Sequence, residues 1–378
     1  MLATLFAFAV SVIATLLLVR SARMHAHHSG DHDFSKPQKF HAVAVPRIGG
    51  LGIVLGLVAA AAVMKWKQGA EAGDFAFLLM ACAAPAFVAG FVQDFTEAIT
   101  PRGRLLATGA SALLAFFVLD AGIRYTAIPG LDWIVSFGIG SLLVTMFTVA
   151  GIANAINIID GFNGLASMCV MLMLAAVGYV AFEVGDSLIG VLALAGVGAV
   201  LGFFIWNFPS GLIFLGDGGA YFLGFFVAEV SILLLVRNDS VSPLFPLLVC
   251  FYPAFETLFS MYRRLLLRQQ PAHMPDGIHL HSLVYRRVIR WAVGDRSVKA
   301  RTKRNSMTSP VLWALCMASL LPAVLFWDNT LMLTLALMVF ALTYVGLYWR
   351  IVRFRSPRLL RLLGSAPAPL DPSDNRGT

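Results

Sequence analysis

A carboxylate stands among glycines in "IFLGDGGAYFLGF", where Asp217 is flanked by Gly216, Gly218 and Gly219. Glycines let the backbone approach a ligand closely. A carboxylate at the start of a helix, beside exposed N–H groups, suits a hydrated Mg²⁺ that bridges phosphates. The same residue could simply cap the helix that follows. A second stretch, "NAINIIDGFNGL", repeats polar residues at helical spacing. If it is helical, Asn154, Asn157, Asp160 and Gly164 share one face and present two amides and a carboxylate. Asp160 and Asn163 would also serve as ordinary cap residues, so capping competes with ligand binding here too.

Three further stretches carry charge or imidazole. In "FVQDFTEAITPRGR", Asp94 precedes Arg102 and Arg104. A carboxylate beside cations can handle a phosphoryl group, with Asp94 accepting a proton. In "KPQKFHAVAVPRIGG", Lys36, Lys39, His41 and Arg47 precede a glycine pair and could attract phosphate or anionic lipid. In "MPDGIHLHSLVYRR", His279 and His281 lie beside Arg286 and Arg287. Two histidines at i, i+2 are too few for a zinc site, and hydrogen bonding to phosphate or sugar fits them better. Boundary residues obeying the positive-inside rule would look similar to the basic stretches.

The elements that hold these residues are apolar helices. Of the 378 residues, 59% are hydrophobic and only 13% charged, with mean hydropathy +0.81. A water-soluble domain carries about 25% charged residues, so the composition is that of an integral membrane protein. Apolar runs of helix-spanning length recur along the whole chain, which argues against a barrel. We read an all-α, polytopic fold of about eleven spans, near 2–20, 49–65, 75–92, 105–121, 133–152, 164–182, 187–206, 219–236, 242–262, 310–326 and 329–349. With that alternation, 24 of the 28 Lys and Arg fall on one side. That side is expected to be cytoplasmic, with the N-terminus outside. All five polar stretches fall on it. Residues 1–350 read as one membrane domain and 351–378 as a cytoplasmic tail, partly disordered. The first apolar run lacks a cleavage motif and reads as a retained span. The four cysteines lie singly in apolar runs and read as packing thiols. The charge of +8 sits in short loops, which argues against a nucleic-acid partner.

Taken together, "KFHAVAVPRIGG", "NAINIIDGFNGL", "IFLGDGGAYFLGF" and "HLHSLVYRR" resemble the polyprenyl-phosphate N-acetylhexosamine-1-phosphate transferases of glycosyltransferase family 4. That bacterial superfamily also contains the phospho-N-acetylmuramoyl-pentapeptide transferases. The resemblance covers roughly residues 36–290, in the family's order. It implies transfer of a sugar 1-phosphate from a UDP-sugar to undecaprenyl phosphate, with Mg²⁺ required and Mn²⁺ compatible. The products would be UMP and an undecaprenyl-pyrophosphoryl sugar that starts a lipid-linked surface glycan, such as an O-antigen of lipopolysaccharide.

The resemblance also implies roles. Asp217 matches the metal-binding Asp, and Asn157 and Asp160 match the polar face near metal and nucleotide. Phe214 matches an aromatic position associated with uracil. His279 and His281 match a motif at the sugar-phosphate end, and Asn154, Asn163, Lys39, Arg47 and Arg104 join the substrate-binding set. The chain departs from the pattern in three places. Gln93 stands before Asp94 where the family has paired aspartates, Asn163 replaces a carboxylate, and Ser282 replaces a third histidine. Catalysis would then rest on Asp94, Asp160 and Asp217. The expected setting is the bacterial inner membrane, with the active site on the cytoplasmic face and a homodimer compatible. One-step and two-step routes both stay open. Rival readings are a peptidoglycan-type transferase of the same superfamily, a secondary transporter, whose polar residues would sit near the midplane, and a CDP-alcohol phosphotransferase, whose Asp pattern is absent.

Overall fold

The structure, a computed structural model, describes residues 1–21, 45–267, 278–289 and 298–353. Lys36, Lys39, His41 and the tail beyond 353 lie outside the described residues. The described chain is helical, with no strand. In order the helices are α1 (Leu2–Arg20), α2 (Gly50–Gln68), α3 (Ala70–Thr96), α4 (Pro101–Val118), α5 (Leu131–Val135), α6 (Gly138–Ile159), α7 (Leu165–Glu183), α8 (Ser187–Asn207), α9 (Gly216–Arg237), α10 (Leu244–Val249), α11 (Phe251–Tyr262), α12 (Leu280–Val284), α13 (Val298–Leu325) and α14 (Thr330–Val352). Single π-helical turns extend α11 over Arg263–Leu267 and α12 over Tyr285–Ile289.

The eleven expected segments fall on helices, the fifth interrupted at Ser136–Phe137 between α5 and α6, and among the described residues nine helices are long and apolar enough to cross a membrane. The other two differ for local reasons. The segment at 242–262 is split at Cys250 into α10 and α11. Pro253 has no N–H to give the carbonyl of Val249, so one intrahelical bond is missing at the break. Helix α4 starts at Pro101 with Arg102 and Arg104 in its first turn, which keeps it more polar than its neighbours. Thr100 caps it, accepting from the Gly103 N–H at 3.1 Å.

Helix α9 is apolar on every face, the pattern of a helix enclosed by others. It packs on α3 and α6, with further contacts to α2, α4, α7 and α8. Helix α1 lays a stripe of Ala3, Ala7, Ser11 and Thr15 against α2 and α8. Small residues let helices approach where lipid supplies no hydrophobic drive between them. The perimeter is apolar instead: Leu106, Phe117, Phe147 and Leu342 are exposed, as lipid-facing side chains would be. On the side opposite the polar stretches, Asp186 caps α8 and pairs with Arg237 at 2.7 Å, tying α7–α8 to the end of α9. Burial pushes the Asp186 carboxyl up, but hydrogen bonds from Arg237, the Ile189 N–H and Asn238 prevail and hold it below its ordinary value. All four cysteines are buried and free.

Candidate active site

The N-terminus of α9 is fixed by α3. Asp94, in the last turn of α3, accepts from the backbone N–H of Asp217 at 2.8 Å and of Gly218 at 2.9 Å, one on each carboxylate oxygen. These are helix-terminal donors without partners inside their own helix, so a buried carboxylate there caps and complements the helix dipole. One turn earlier Gly90 allows the contact, because a Cβ there would stand 2.6 Å from the Asp217 carbonyl. Gly216 has φ +77°, and a Cβ on it would meet the Arg47 carbonyl at 1.9 Å and Asp94 Oδ2 at 2.6 Å. Only glycine fits both the left-handed turn and the space.

The segment before α9 is held in turn by the segment before α2. Phe214 N–H donates to the Pro46 carbonyl at 2.8 Å, and Gly49 and Gly50 N–H donate to Phe214 and Leu215 carbonyls at 2.9 and 3.0 Å. Phe214 is half-buried, and Arg47 lies in this pairing.

Around Asp217 the polar residues of three other helices converge. Asn157 of α6 donates Nδ2–H to Asp217 Oδ1 at 2.8 Å, and Arg104 of α4 forms an ion pair with Asp217 Oδ2. The Arg104 guanidinium lies over the Tyr221 ring, 5.5 Å from its centroid, and the Tyr221 hydroxyl donates to Asn154 Oδ1 at 3.3 Å. Asp160 follows the last turn of α6 and is half-buried. Burial pushes its carboxyl well above the ordinary range, and the carboxylates of Asp217 and Asp94 push the same way against the Arg47 guanidinium. Asp94, Asn154, Asn157, Asp160, Asp217, Arg47 and Arg104 thus form one polar cluster in an apolar bundle.

His279 and His281 reach the far side of the Asp160 loop. Their rings stack with centroids 5.1 Å apart, and His281 meets Phe162 edge-on at 5.6 Å. A Cβ on Gly161 would lie 3.7 Å from His281 Nε2, so the imidazole faces the backbone next to Asp160.

Asn163 is placed differently from its neighbours. It is buried, and its Nδ2–H₂ donates to the Pro209 carbonyl at 3.1 Å and to Ser306 Oγ at 3.4 Å. Its N–H donates to Asn305 Oδ1 at 2.8 Å, and Ser309 Oγ–H donates to its carbonyl at 2.6 Å. Asn207 accepts from the Gly164 N–H at 2.6 Å, and Trp313 Nε1–H donates to the Gly164 carbonyl at 3.1 Å. Rather than lining the cleft, the amide ties the 160–164 loop to α13. Asn163→Asp cannot donate to either partner and would turn a carboxylate toward a carbonyl. We expect it to cost about 1–3 kcal/mol, read as a lower midpoint of thermal unfolding in detergent. An unchanged midpoint would show that the loop is anchored elsewhere.

Reading the sequence did not find Tyr221, Asn207, Glu256 or the α13 residues. Tyr221 stands four residues after Asp217, on the same helical face. Glu256 offered a signal in being a carboxylate inside an apolar run. Asn305, Ser306 and Ser309 offered none, because they read as a basic loop.

A model of glycosyl transferase family 4 matches residues 76–235, which include Asp94, the Asp160 loop and Asp217. A phospho-N-acetylmuramoyl-pentapeptide-transferase of Lactococcus lactis is 30% identical over 241 residues, 60% of this chain and 71% of that protein. The chain belongs to glycosyl transferase family 4. Within that family it is similar to a probable undecaprenyl-phosphate N-acetylglucosaminyl 1-phosphate transferase of Bacillus subtilis, at 29% identity over 287 residues, 74% of this chain and 77% of the relative. A phospho-N-acetylmuramoyl-pentapeptide-transferase of Streptococcus thermophilus is 35% identical over 159 residues, 40% of this chain and 46% of the relative.

Proposed function

We propose that this family 4 member transfers a sugar 1-phosphate, an N-acetylhexosamine 1-phosphate by preference, from a UDP-sugar to undecaprenyl phosphate. The observation that carries the reading is the cluster around Asp217, in which carboxylates, amides and arginines from α3, α4, α6 and α9 meet at one end of an otherwise apolar bundle. The names borne by the Bacillus and Lactococcus relatives support the substrate class.

In the proposed reaction an oxygen of the lipid phosphate attacks the β-phosphorus of the UDP-sugar. A new P–O bond forms as the bond to UMP breaks, and UMP leaves with the electron pair. The nucleophile is already anionic, so the barrier lies in bringing anions together and in line. Arg104 and Arg47 would offset that repulsion. Asn154 and Asn157, fixed by Tyr221 and Asp217, would orient the donor. With both oxygens engaged by backbone N–H groups, Asp94 is cast here as a positioning residue for Asp217 rather than a nucleophile.

The residues present fit Mg²⁺. Asp217 and Asp160, with the Asn157 amide oxygen, would supply hard oxygen donors, and Mg²⁺ favours one or two carboxylates completed by water and phosphate over an all-protein cage. When bound, the ion would neutralise charge on the pyrophosphate and the departing UMP. Mn²⁺ suits the same donors. The excess of Lys and Arg on the loops that carry the site supports a cytoplasmic active face in the bacterial plasma membrane.

The test is UMP release by the purified chain with undecaprenyl phosphate, Mg²⁺ and a panel of UDP-sugars, including the UDP-muramoyl-pentapeptide that the Lactococcus relative's name implies. UDP-N-acetylhexosamine is expected to give turnover. Release from the muramoyl donor alone would move the protein to the peptidoglycan branch, and no release from any donor would refute the proposal.

A further inference from the structure

Glu256 of α11 is a carboxylate buried inside the bundle. It is fully used. Oε1 accepts from the Leu280 N–H at 3.0 Å and faces His279 Nδ1 at 3.1 Å, while Oε2 accepts from the Tyr344 hydroxyl at 2.7 Å. Three elements distant in sequence, α11, the start of α12 and α14, meet on this one group.

The arrangement dictates the state of the histidine. An ionised carboxylate can only accept, so the proton between Glu256 and His279 sits on Nδ1. Nδ1 is thereby used, and Nε2 is left as the nitrogen able to meet a ligand. The Glu256 bond also locks the ring plane, which His279 passes on by stacking within 10° of parallel on His281. His281 faces Gly161, next to Asp160. A carboxylate behind a histidine sets the tautomer and favours the cationic form without touching substrate itself, as in a catalytic triad.

We infer that Glu256 is a positioning residue that fixes His279 in its Nδ1–H form and holds the His279–His281 pair toward the phosphate-bearing end of the substrate. The inference rests on the phosphoryl-transfer reading above. Among the described residues, the titratable groups around the Glu256–His279 pair are Tyr252 on α11, His281 on α12, Tyr344 and Tyr348 on α14, and Arg263, which reaches the Ile278 carbonyl at 2.9 Å. Among the described residues, Glu256 is the one acid in contact with His279.

The experiment compares UMP release by the wild type, Glu256→Gln, His279→Ala and the double variant, using the purified full chain with a UDP-N-acetylhexosamine, undecaprenyl phosphate and Mg²⁺. Glutamine keeps one acceptor oxygen, puts an NH₂ donor in place of the other and removes the charge. Glu256→Gln is expected to lower kcat about 10–100-fold, the usual size of such an outer-layer loss, with KM for the donor changed less than about threefold. In the His279→Ala background the same change should cost nothing further.

Wild-type kcat in Glu256→Gln, or losses that simply multiply in the double variant, would overturn the inference while leaving the transfer reaction standing. No UMP from the wild type would overturn both. Should Glu256→Gln unfold, Tyr344→Phe replaces it. That variant removes the bond that holds Oε2, so the carboxylate is less firmly aimed at His279 and kcat should fall while KM for the donor changes little; wild-type kcat counts against the inference.

Discussion

Asp217→Asn should reduce UMP release by about 10³ or more, the scale expected when a charge-stabilising group is removed from a phosphoryl-transfer site. The side chain is placed for little else. Its backbone is held by Asp94, and its two oxygens are met by Asn157 and Arg104. Asparagine retains the shape, and its oxygen can still accept from Asn157. What disappears is the negative charge that would gather a divalent ion and balance Arg104. Raising Mg²⁺ should therefore restore little, whereas in a variant that merely weakened binding, excess ion would recover much of the rate. Thermal unfolding in detergent separates loss of function from loss of fold. Near-normal turnover at ordinary Mg²⁺ would remove Asp217 from the centre of the proposed site.

The bundle itself was legible because the bilayer imposes a long apolar period on each span, and such runs survive any detail of packing. What hydropathy could not see lies where polar segments are nonetheless helical. Helix α13 begins at Val298, well before the apolar run starting near 310, because "VKARTKRNSMTS" is helical. Its Asn305, Ser306 and Ser309 hold the Asp160 loop. In sequence they look like topogenic loop residues, and their roles depend on partners more than 140 positions away. The break at Cys250 was visible only as prolines inside an apolar run. Asn163 illustrates the same limit from the other direction. Its spacing beside Asp160 suggested a substrate-facing amide, but the turn at Gly164 with φ +72° sends it toward α13.

Asp94 offers the sharpest separation between two chemical roles. As a proton acceptor for the lipid phosphate, it would be inactivated to the same degree by Asn and by Ala, with the fold intact in both. As the cap of α9, it should show a graded response. Asp94→Asn keeps one oxygen for one of the two N–H donors but turns an NH₂ toward the other. Asp94→Ala takes the acceptor from both donors. Removing a capping side chain costs about 0.5–2 kcal/mol, and a buried unpaired donor about 1–3 kcal/mol. Alanine should therefore unfold at the lower temperature, and asparagine should fall between it and the wild type. Turnover should follow the same order, because releasing the first turn of α9 frees Asp217 from Asn157 and Arg104. Equal and complete loss of turnover in two variants of wild-type stability would instead make Asp94 the base. The two accounts differ at asparagine, where the cap is halved but the proton acceptor is already gone.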